Sequence, residues 1–321
     1  MTPEVLTMGR IGVDLYPEQS GVHLEDVATF RKMLGGSATN VAVAAARLGR
    51  RAAVITKVGD DAFGRYARRA LGEFGVDASR VGTHPTLRTP IVFCELFPPD
   101  DFPLLFYREP KAPDLELEPA DVDLDEIAAV PLFWTTGTGL SQEPSRSTTL
   151  TALAVRPRDA LTVHDLDYRP MFWPSRDEAR DWGRHALEQA TVAVGNLTEA
   201  AVVVGERPPG ETARALLDLG LDLAVVKLGP QGVLGATRDE EVALPAVEVD
   251  VVNGLGAGDA FGGALCHGLL SGWPLARTLA FANAAGAIVA GRLGCADAMP
   301  NLEEVEAASE PVLRSAYIEP T

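Results

Sequence analysis

The sequence predicts an α/β protein: a central, mostly parallel sheet covered on both faces by helices and carrying a small β-sheet as an appendage. Three observations lead there. Short apolar runs alternate with longer stretches of helical period through most of the 321 residues, and such alternation favours a parallel sheet buried on both sides. Two stretches, 11–34 and 88–110, break the alternation and read as strands without helices between them. The length suits one large domain, here taken as 1–321, rather than several.

From the N-terminus, "VLTMG" reads as the first buried strand. "SATNVAVAAARLG" has the composition of a helix, "AAVITKVG" that of a strand, and "AFGRYARRALGEFG" the period of an amphipathic helix. "TPIVFCELF" (89–97) and "FPLLFYRE" (102–109), joined by the Pro/Asp-rich "PPDDFP", read as antiparallel hairpin material. The second half returns to alternation, with "PLFWTTG", "LTVHDLD", "TVAVGN" and "LDLAVVKLG" as strands and "SRDEARDWGRHALEQA" and "GETARALLDLG" as helices. A fraying tail is expected after about residue 309. Ligands of such folds collect at the carboxyl ends of the strands. A small sheet built from 11–34 and 88–110 would serve there as a lid.

Composition excludes several classes of partner. With 28 Lys plus Arg against 45 Asp plus Glu, the formal charge of -17 repels nucleic-acid phosphates and anionic membranes. No apolar run approaches the roughly 18 to 20 residues that span a bilayer, and "MTPEVLTMGRIGVDL" lacks a signal-peptide pattern, so a cytoplasmic protein is expected. Cys94, Cys266 and Cys295 are scattered without metal-ligand spacing and read as reduced core thiols. The five histidines are dispersed, and none adjoins a Ser or Cys in a hydrolase-like pattern.

Chemistry concentrates in "NGLGAGDAFGGAL", Asn253 to Leu265. It fails as a dinucleotide fingerprint, because Asp259 or Phe261 stands where the last glycine is needed. It fails as a P-loop, because Asp259 and Ala260 follow Gly258 in place of Lys and Ser/Thr. What remains is a glycine turn feeding a helix N-terminus, where unpaired N–H groups attract an anion, with Asp259 in the first turn as a candidate general base. An ordinary helix start with an acid complementing the dipole is the alternative.

Other stretches carry weaker signals. "GGSATNVAVAAARLG" is a second glycine turn entering a helix, with Asn40 able to donate to and accept from a polyhydroxylated ligand; tight helix packing explains its small residues equally. "GNLTEA" places Asn196 and Glu199 where they could anchor the water shell of Mg²⁺ or simply cap a helix. Lys227, Gly229 and Gly232 end a strand in "VVKLGPQG" and suit either a nucleotide lying on the backbone or a β-turn. "HDLDYRP" gathers Asp165, Asp167 and Arg169, the arginine free for an anion or paired with one of these acids, and Arg108 ends the expected lid strand. Asp14 either accepts bonds from ligand hydroxyls or caps a turn.

The ordered pair "GGSATNVAVAAARLG" and "GAGDAFGGAL", with "NLTE" and "VVKLGPQG" between them, resembles the ribokinase-like (PfkB) carbohydrate kinases over nearly the whole chain. "GRIGVDL", "FYREPKAPDLEL" and "DLDYRPMFW" look most like the branch that phosphorylates the primary 6-hydroxyl of 5-dehydro-2-deoxygluconate in inositol breakdown. The resemblance implies a three-layer α/β/α fold and ATP with Mg²⁺ as cofactors. It implies that Gly256, Ala257 and Gly258 hold the transferring phosphoryl group and that Asp259 takes the hydroxyl proton. Asn196 and Glu199 would act on the magnesium, largely through water. Lys227, Gly229, Gly232 and Asn283 would receive ATP, while Asp14, Gly35, Gly36 and Asn40 would receive the sugar.

Asn253 stands where many relatives carry an Asp that helps bind a monovalent cation such as K⁺; an amide oxygen supplies a ligand without charge. From the acid character of the substrate, Arg108 and Arg169 are expected to clamp its carboxylate. Lid sheets in this family often pair between subunits, which implies a homodimer. The competing readings are 2-keto-3-deoxygluconate kinase, fructokinase, and a non-catalytic sugar-binding protein on a kinase fold.

Overall fold

Runs such as Ala52–Gly59 and Leu223–Lys227 are apolar at consecutive positions, as a strand covered on both faces must be. In a computed structural model, which describes residues 2–316, they lie inside a three-layer α/β/α body.

The chain opens with β1 (Val5–Met8), then leaves the main sheet for β2 (Gly12–Pro17) and β3 (Phe30–Gly35). It returns through α1 (Ser37–Arg47), β4 (Ala52–Gly59), α2 (Ala62–Glu73) and β5 (Val81–His84). A second excursion forms β6 (Ile91–Cys94) and β7 (Leu104–Tyr107). Alternation follows: α3 (Leu124–Ala129), β8 (Leu132–Thr136), α4 (Ser145–Ala154), β9 (Leu161–Asp165), α5 (Arg176–Leu187), β10 (Val192–Asn196), α6 (Leu197–Val204), α7 (Pro209–Leu217) and β11 (Leu223–Lys227). The hairpin β12 (Val233–Ala236) and β13 (Glu241–Leu244) leads to α8 (Ala257–Leu270), α9 (Leu275–Ala290) and α10 (Leu302–Ala316).

Among the described residues the main sheet has nine strands in the order β13-β12-β11-β10-β9-β8-β1-β4-β5. Seven are parallel, and β12 and β13 return antiparallel at one edge. Alternate side chains go to opposite layers. Val5, Val54, Trp134, Val163 and Val225 face the layer of α1, α8 and α9, whereas Leu6, Ala53, Phe133, Ala193 and Ala224 face that of α3 to α7. The strand order reverses at β1, and the carboxyl ends of β1 and β8 flank the crevice where such folds bind ligands.

The small sheet has the order β3-β2-β6-β7. It differs from the sequence expectation in two ways. β2 pairs parallel with β6, so the two excursions meet side by side rather than forming one antiparallel run. The hairpin strands are also shorter, 91–94 and 104–107, because Pro90 and Pro103, which directly precede them, remove ladder donors. A third difference lies at the C-terminus, where α10 runs as far as Ala316 in place of a tail fraying from 309; residues 317–321 lie outside the described part. No described helix is long and apolar enough to cross a membrane.

Candidate active site

The glycine turn is placed by α8. Gly262 lies against the indole of Trp134 on β8, where an added methyl would come within 2.7 Å of the ring, so the helix lies close on the sheet with its N-terminus at the strand ends. Gly256 precedes α8 in the left-handed conformation at φ 81°, and a methyl there would come within 2.7 Å of Cys295 Sγ. No side chain caps α8. Its first N–H groups therefore have no capping partner and point, with the helix dipole, at whatever lies before the helix. Beside them, a methyl on Gly258 would be 3.2 Å from Lys227 Nζ at the end of β11. An uncapped helix start with an ammonium alongside and no side chain between them fits a phosphoryl group.

Asp259 is half-buried in the first turn of α8, and its Oδ2 accepts a 2.8 Å hydrogen bond from Asn40 Nδ2 on α1. Burial pushes its carboxyl up to about 6, against the opposing pull of the Asn40 bond and of Arg10 and Lys227. Asn40 Oδ1 is buried without a partner, an acceptor left for a ligand hydroxyl. Asp14 on β2 is buried and pushed up to about 7, chiefly by desolvation. Its carboxylate occupies the space a side chain at Gly35 would need, and Gly36, at φ 104°, lies against the Arg10 carbonyl. Asp14, Gly35, Gly36, Asn40 and Asp259 are thus assembled in one corner, although only the last had an obvious reason to be near the turn.

Lys227 is held charged despite its burial by Asp165 first, then Glu199, Asp259 and Asp167. Gly229 and Gly232 have positive φ (57° and 99°), and they shape the turn that joins β11 to β12 as an antiparallel hairpin. Asn283 on α9 donates to the Pro245 carbonyl at 2.7 Å, which fastens α9 to the segment after β13.

Asn196 and Glu199 form a reciprocal capping box on α6: Asn196 Oδ1 accepts from Glu199 N at 2.9 Å, and Glu199 Oε2 from Asn196 N at 2.8 Å. Glu199 Oε1 also lies 3.6 Å from Arg169. Among the described residues there is no group of three acids, histidines or cysteines able to cage a metal. Asn196 and Glu199 offer two hard-oxygen side chains, fewer than the six ligands Mg²⁺ takes, so the donor set fits an ion that also takes phosphate oxygens and water. Asn253 is fully buried and committed to the loop itself: Oδ1 accepts from Leu255 N at 3.1 Å, and Nδ2 donates to the carbonyls of Leu255 and Gly294. That is a structural use of the side chain, with one hydrogen bond to its amide oxygen.

The two arginines expected to clamp a carboxylate already have acid partners. Arg108 closes its fork on Asp114, at 2.6 and 3.3 Å, with the side chain only 8% exposed; Asp114 also accepts from Ile11 N. This pair ties the end of β7 to the start of β2, and the Arg108 guanidinium lies 5.1 Å from the centre of the Phe172 ring. Arg169 is 35% exposed and lies 3.1 Å from Asp167. Sequence reasoning missed a third arginine, Arg10, two residues past the end of β1. Its position after Gly9 at a strand end was the available signal, but its partners come from three distant segments: Thr138, Ser37 and Asp167.

A family model described as pfkB family carbohydrate kinase matches residues 2–302. A similar protein, the 5-dehydro-2-deoxygluconokinase of Geobacillus kaustophilus, is 34% identical over 94% of this chain and 92% of its own length. Among solved structures, fructokinase of Vibrio cholerae with bound fructose, ADP and calcium ion superposes with a TM-score of 0.84 at 27% identity, covering 97% of this chain and all of the other (100%). Aminoimidazole riboside kinase of Salmonella enterica, complexed with aminoimidazole riboside and an ATP analog, gives a TM-score of 0.79 at 28% identity over 95% and 99% of the two chains. The chain belongs to the pfkB family of carbohydrate kinases, with the three-layer ribokinase-like fold.

Proposed function

We propose that this kinase transfers the γ-phosphoryl group of ATP to the primary 6-hydroxyl of 5-dehydro-2-deoxy-D-gluconate. The observation that carries the reaction type is the Asp259–Asn40 pair set directly behind an uncapped helix start with Lys227 beside it. The substrate reading is supported by the relative's name and by the cationic side chains near the sugar corner.

In this reading Asp259 accepts the proton of the attacking hydroxyl, and the N–H groups of Gly256, Ala257 and Gly258 stabilise charge on the phosphoryl oxygens. Lys227 meets the phosphates, and Gly229, Gly232 and Asn283 line the nucleotide side. Magnesium, bound through the phosphates with Asn196 and Glu199 orienting its waters, would supply charge neutralisation. Asp14, Gly35, Gly36 and Asn40 receive the sugar hydroxyls. Of the two arginines first considered for the carboxylate, Arg169 is the one with room to meet it, since Arg108 is closed on Asp114.

The small sheet acts as the lid. Its inner side brings Phe102 against Gly254 and Leu104 into the cluster of Tyr16, Met33 and Cys295, next to the glycine turn. Its outer side exposes Leu105 and Tyr107 (47% and 60%) beside Phe93, which suits pairing with a second copy of the chain. The free, buried cysteines suit a reducing compartment such as the cytoplasm.

The test is ADP release with Mg·ATP against 5-dehydro-2-deoxygluconate, 2-keto-3-deoxygluconate, fructose and ribose. Turnover confined to the first supports the reading. Preference for another member overturns the substrate, and no turnover with any of them moves the sugar-binding reading forward. Light scattering of wild type and Tyr107→Glu tests the dimer, which the charge should dissociate.

A further inference from the structure

Asp167 sits at φ 25°, a backbone region that non-glycine residues rarely occupy, and it is the only described non-glycine residue with positive φ. Its carboxylate is almost fully buried and shared. Oδ2 accepts from Ser37 Oγ and Thr138 Oγ1, both at 2.8 Å, and lies 3.6 Å from Arg10 Nη2; Oδ1 lies 3.1 Å from Arg169 Nη2. Burial alone would raise the carboxyl, but Arg169, Arg10 and the two hydroxyls outweigh it and hold it well below the usual carboxylate range. One anion thus serves two guanidiniums.

Arg10 is buried to 8% exposure between the rings of Phe172 and Phe106, at 5.7 and 5.9 Å, and Phe106 comes from the small sheet. Nε is bonded to Thr138 and Nη2 to Ser37, while Nη1 makes no hydrogen bond among the described residues. The guanidinium lies close enough to Asp14 and Asp259 to lower the proton affinity of both, which places it at the sugar corner beside the base. A largely buried arginine fork that shares its acid partner Asp167 and has a donor to spare is suited to an anionic group of a ligand.

We propose that Arg10 is a specificity-determining residue, its Nη1 meeting the carboxylate of a sugar acid together with Arg169, and that Asp167 is the positioning residue that holds the two arginines side by side. The proposal rests on the sugar-acid reading above and adds to it which side chains make the distinction.

The experiment compares kcat and KM for 5-dehydro-2-deoxygluconate, fructose and ATP in wild type, Arg10→Gln, Arg10→Lys and Asp167→Asn. Asp167→Asn keeps a side chain of the same shape that still accepts from Ser37 and Thr138, so it reads the lost charge even if Arg10→Gln folds poorly. The expected result is a KM for the acid raised about tenfold or more in Arg10→Gln and Asp167→Asn, with kcat and the KM for ATP changed by less than about threefold and partial rescue in Arg10→Lys. The preference for acid over fructose should collapse accordingly. Equal losses for acid and fructose, or unchanged acid KM in Asp167→Asn, would overturn the proposal and leave both residues as scaffold. A wild type that shows no preference for the acid would instead overturn the substrate reading and this proposal with it.

Discussion

The proposed sugar corner and the proposed nucleotide side of this crevice are built from different materials. Asp14, Asn40, Asp259, Arg10 and Asp167 are packed, bonded or desolvated, with Gly35 and Gly36 present because their neighbours leave no room for a side chain. Gly229, at the other end, has nothing within 4 Å of where a methyl would be, and the residues around it are exposed. A corner that must orient a hydroxyl against a base needs fixed side chains. A surface that receives a nucleotide against backbone needs little more than an open path. Substitutions at the first should therefore alter chemistry and selectivity, and one at Gly229 should be mild, whereas Gly232, where a methyl would come within 2.0 Å of the Leu244 carbonyl, has no such room.

The sharpest break of that contrast is Asp259→Asn, expected to lower kcat by about 10² to 10⁴, the range for a lost general base, in an ADP-release assay. The same substitution should raise the melting temperature at pH 8. The folded-state value of Asp259 is about 6, above its ordinary 3.8, so the fold favours the protonated form. The stability tied to that proton is complete below pH 4 and lost as the pH rises through 6, and the gain from Asn should vanish in melts at low pH.

Next in size is Gly35→Ala. Its methyl would displace the Asp14 carboxylate, so the KM for the sugar should rise by roughly tenfold to a hundredfold, about 1.4 to 2.7 kcal/mol, with the KM for ATP little changed. Arg169→Ala should raise the KM for the acid more than Arg108→Ala does, whereas Arg108→Ala should mainly lower the melting temperature by leaving buried Asp114 unpaired. Equal KM effects would give Arg108 a share in binding the carboxylate. The smallest effect is expected at Gly229→Ala, about 1 kcal/mol of stability from its positive φ, read by denaturant titration, with kinetics close to wild type. A large rise in the KM for ATP there would show that the nucleotide side is as tightly specified as the sugar corner.

Much of this arrangement is written locally in the sequence. The strands of the main sheet announce themselves as apolar runs, and the glycine turn before Asp259 is recognisable because the geometry it makes, a left-handed residue followed by a free helix start, is made by neighbouring residues. The capping box of Asn196 and Glu199 is legible for the same reason. What the sequence hides is pairing at a distance. The Asp167–Arg169 pair is local, but Asp167 also gathers Arg10, Ser37 and Thr138 from three segments that meet only when the strand ends align. The Arg108–Asp114 pair is hidden for a related reason: Asp114 lies past the end of the strand, at no regular spacing, and nothing local predicts that the chain turns back to it. The parallel contact of β2 with β6 is hidden too, since pairing direction is set by how two excursions from the main sheet return to it.

The claim on which the account turns is that Asp259, raised by burial and aimed by Asn40, is the proton acceptor. The direct measurement is the pH dependence of kcat/KM for wild type and Asp259→Asn on the same sugar acid. The ionised carboxylate is the working form, so the wild-type value should fall steeply as the pH drops through about 6, below any limb from Asp14 near 7, and the residual rate of Asp259→Asn should lack the limb near 6. A substituted enzyme that keeps both near wild-type turnover and the same acidic limb would contradict the account and assign the proton to another group.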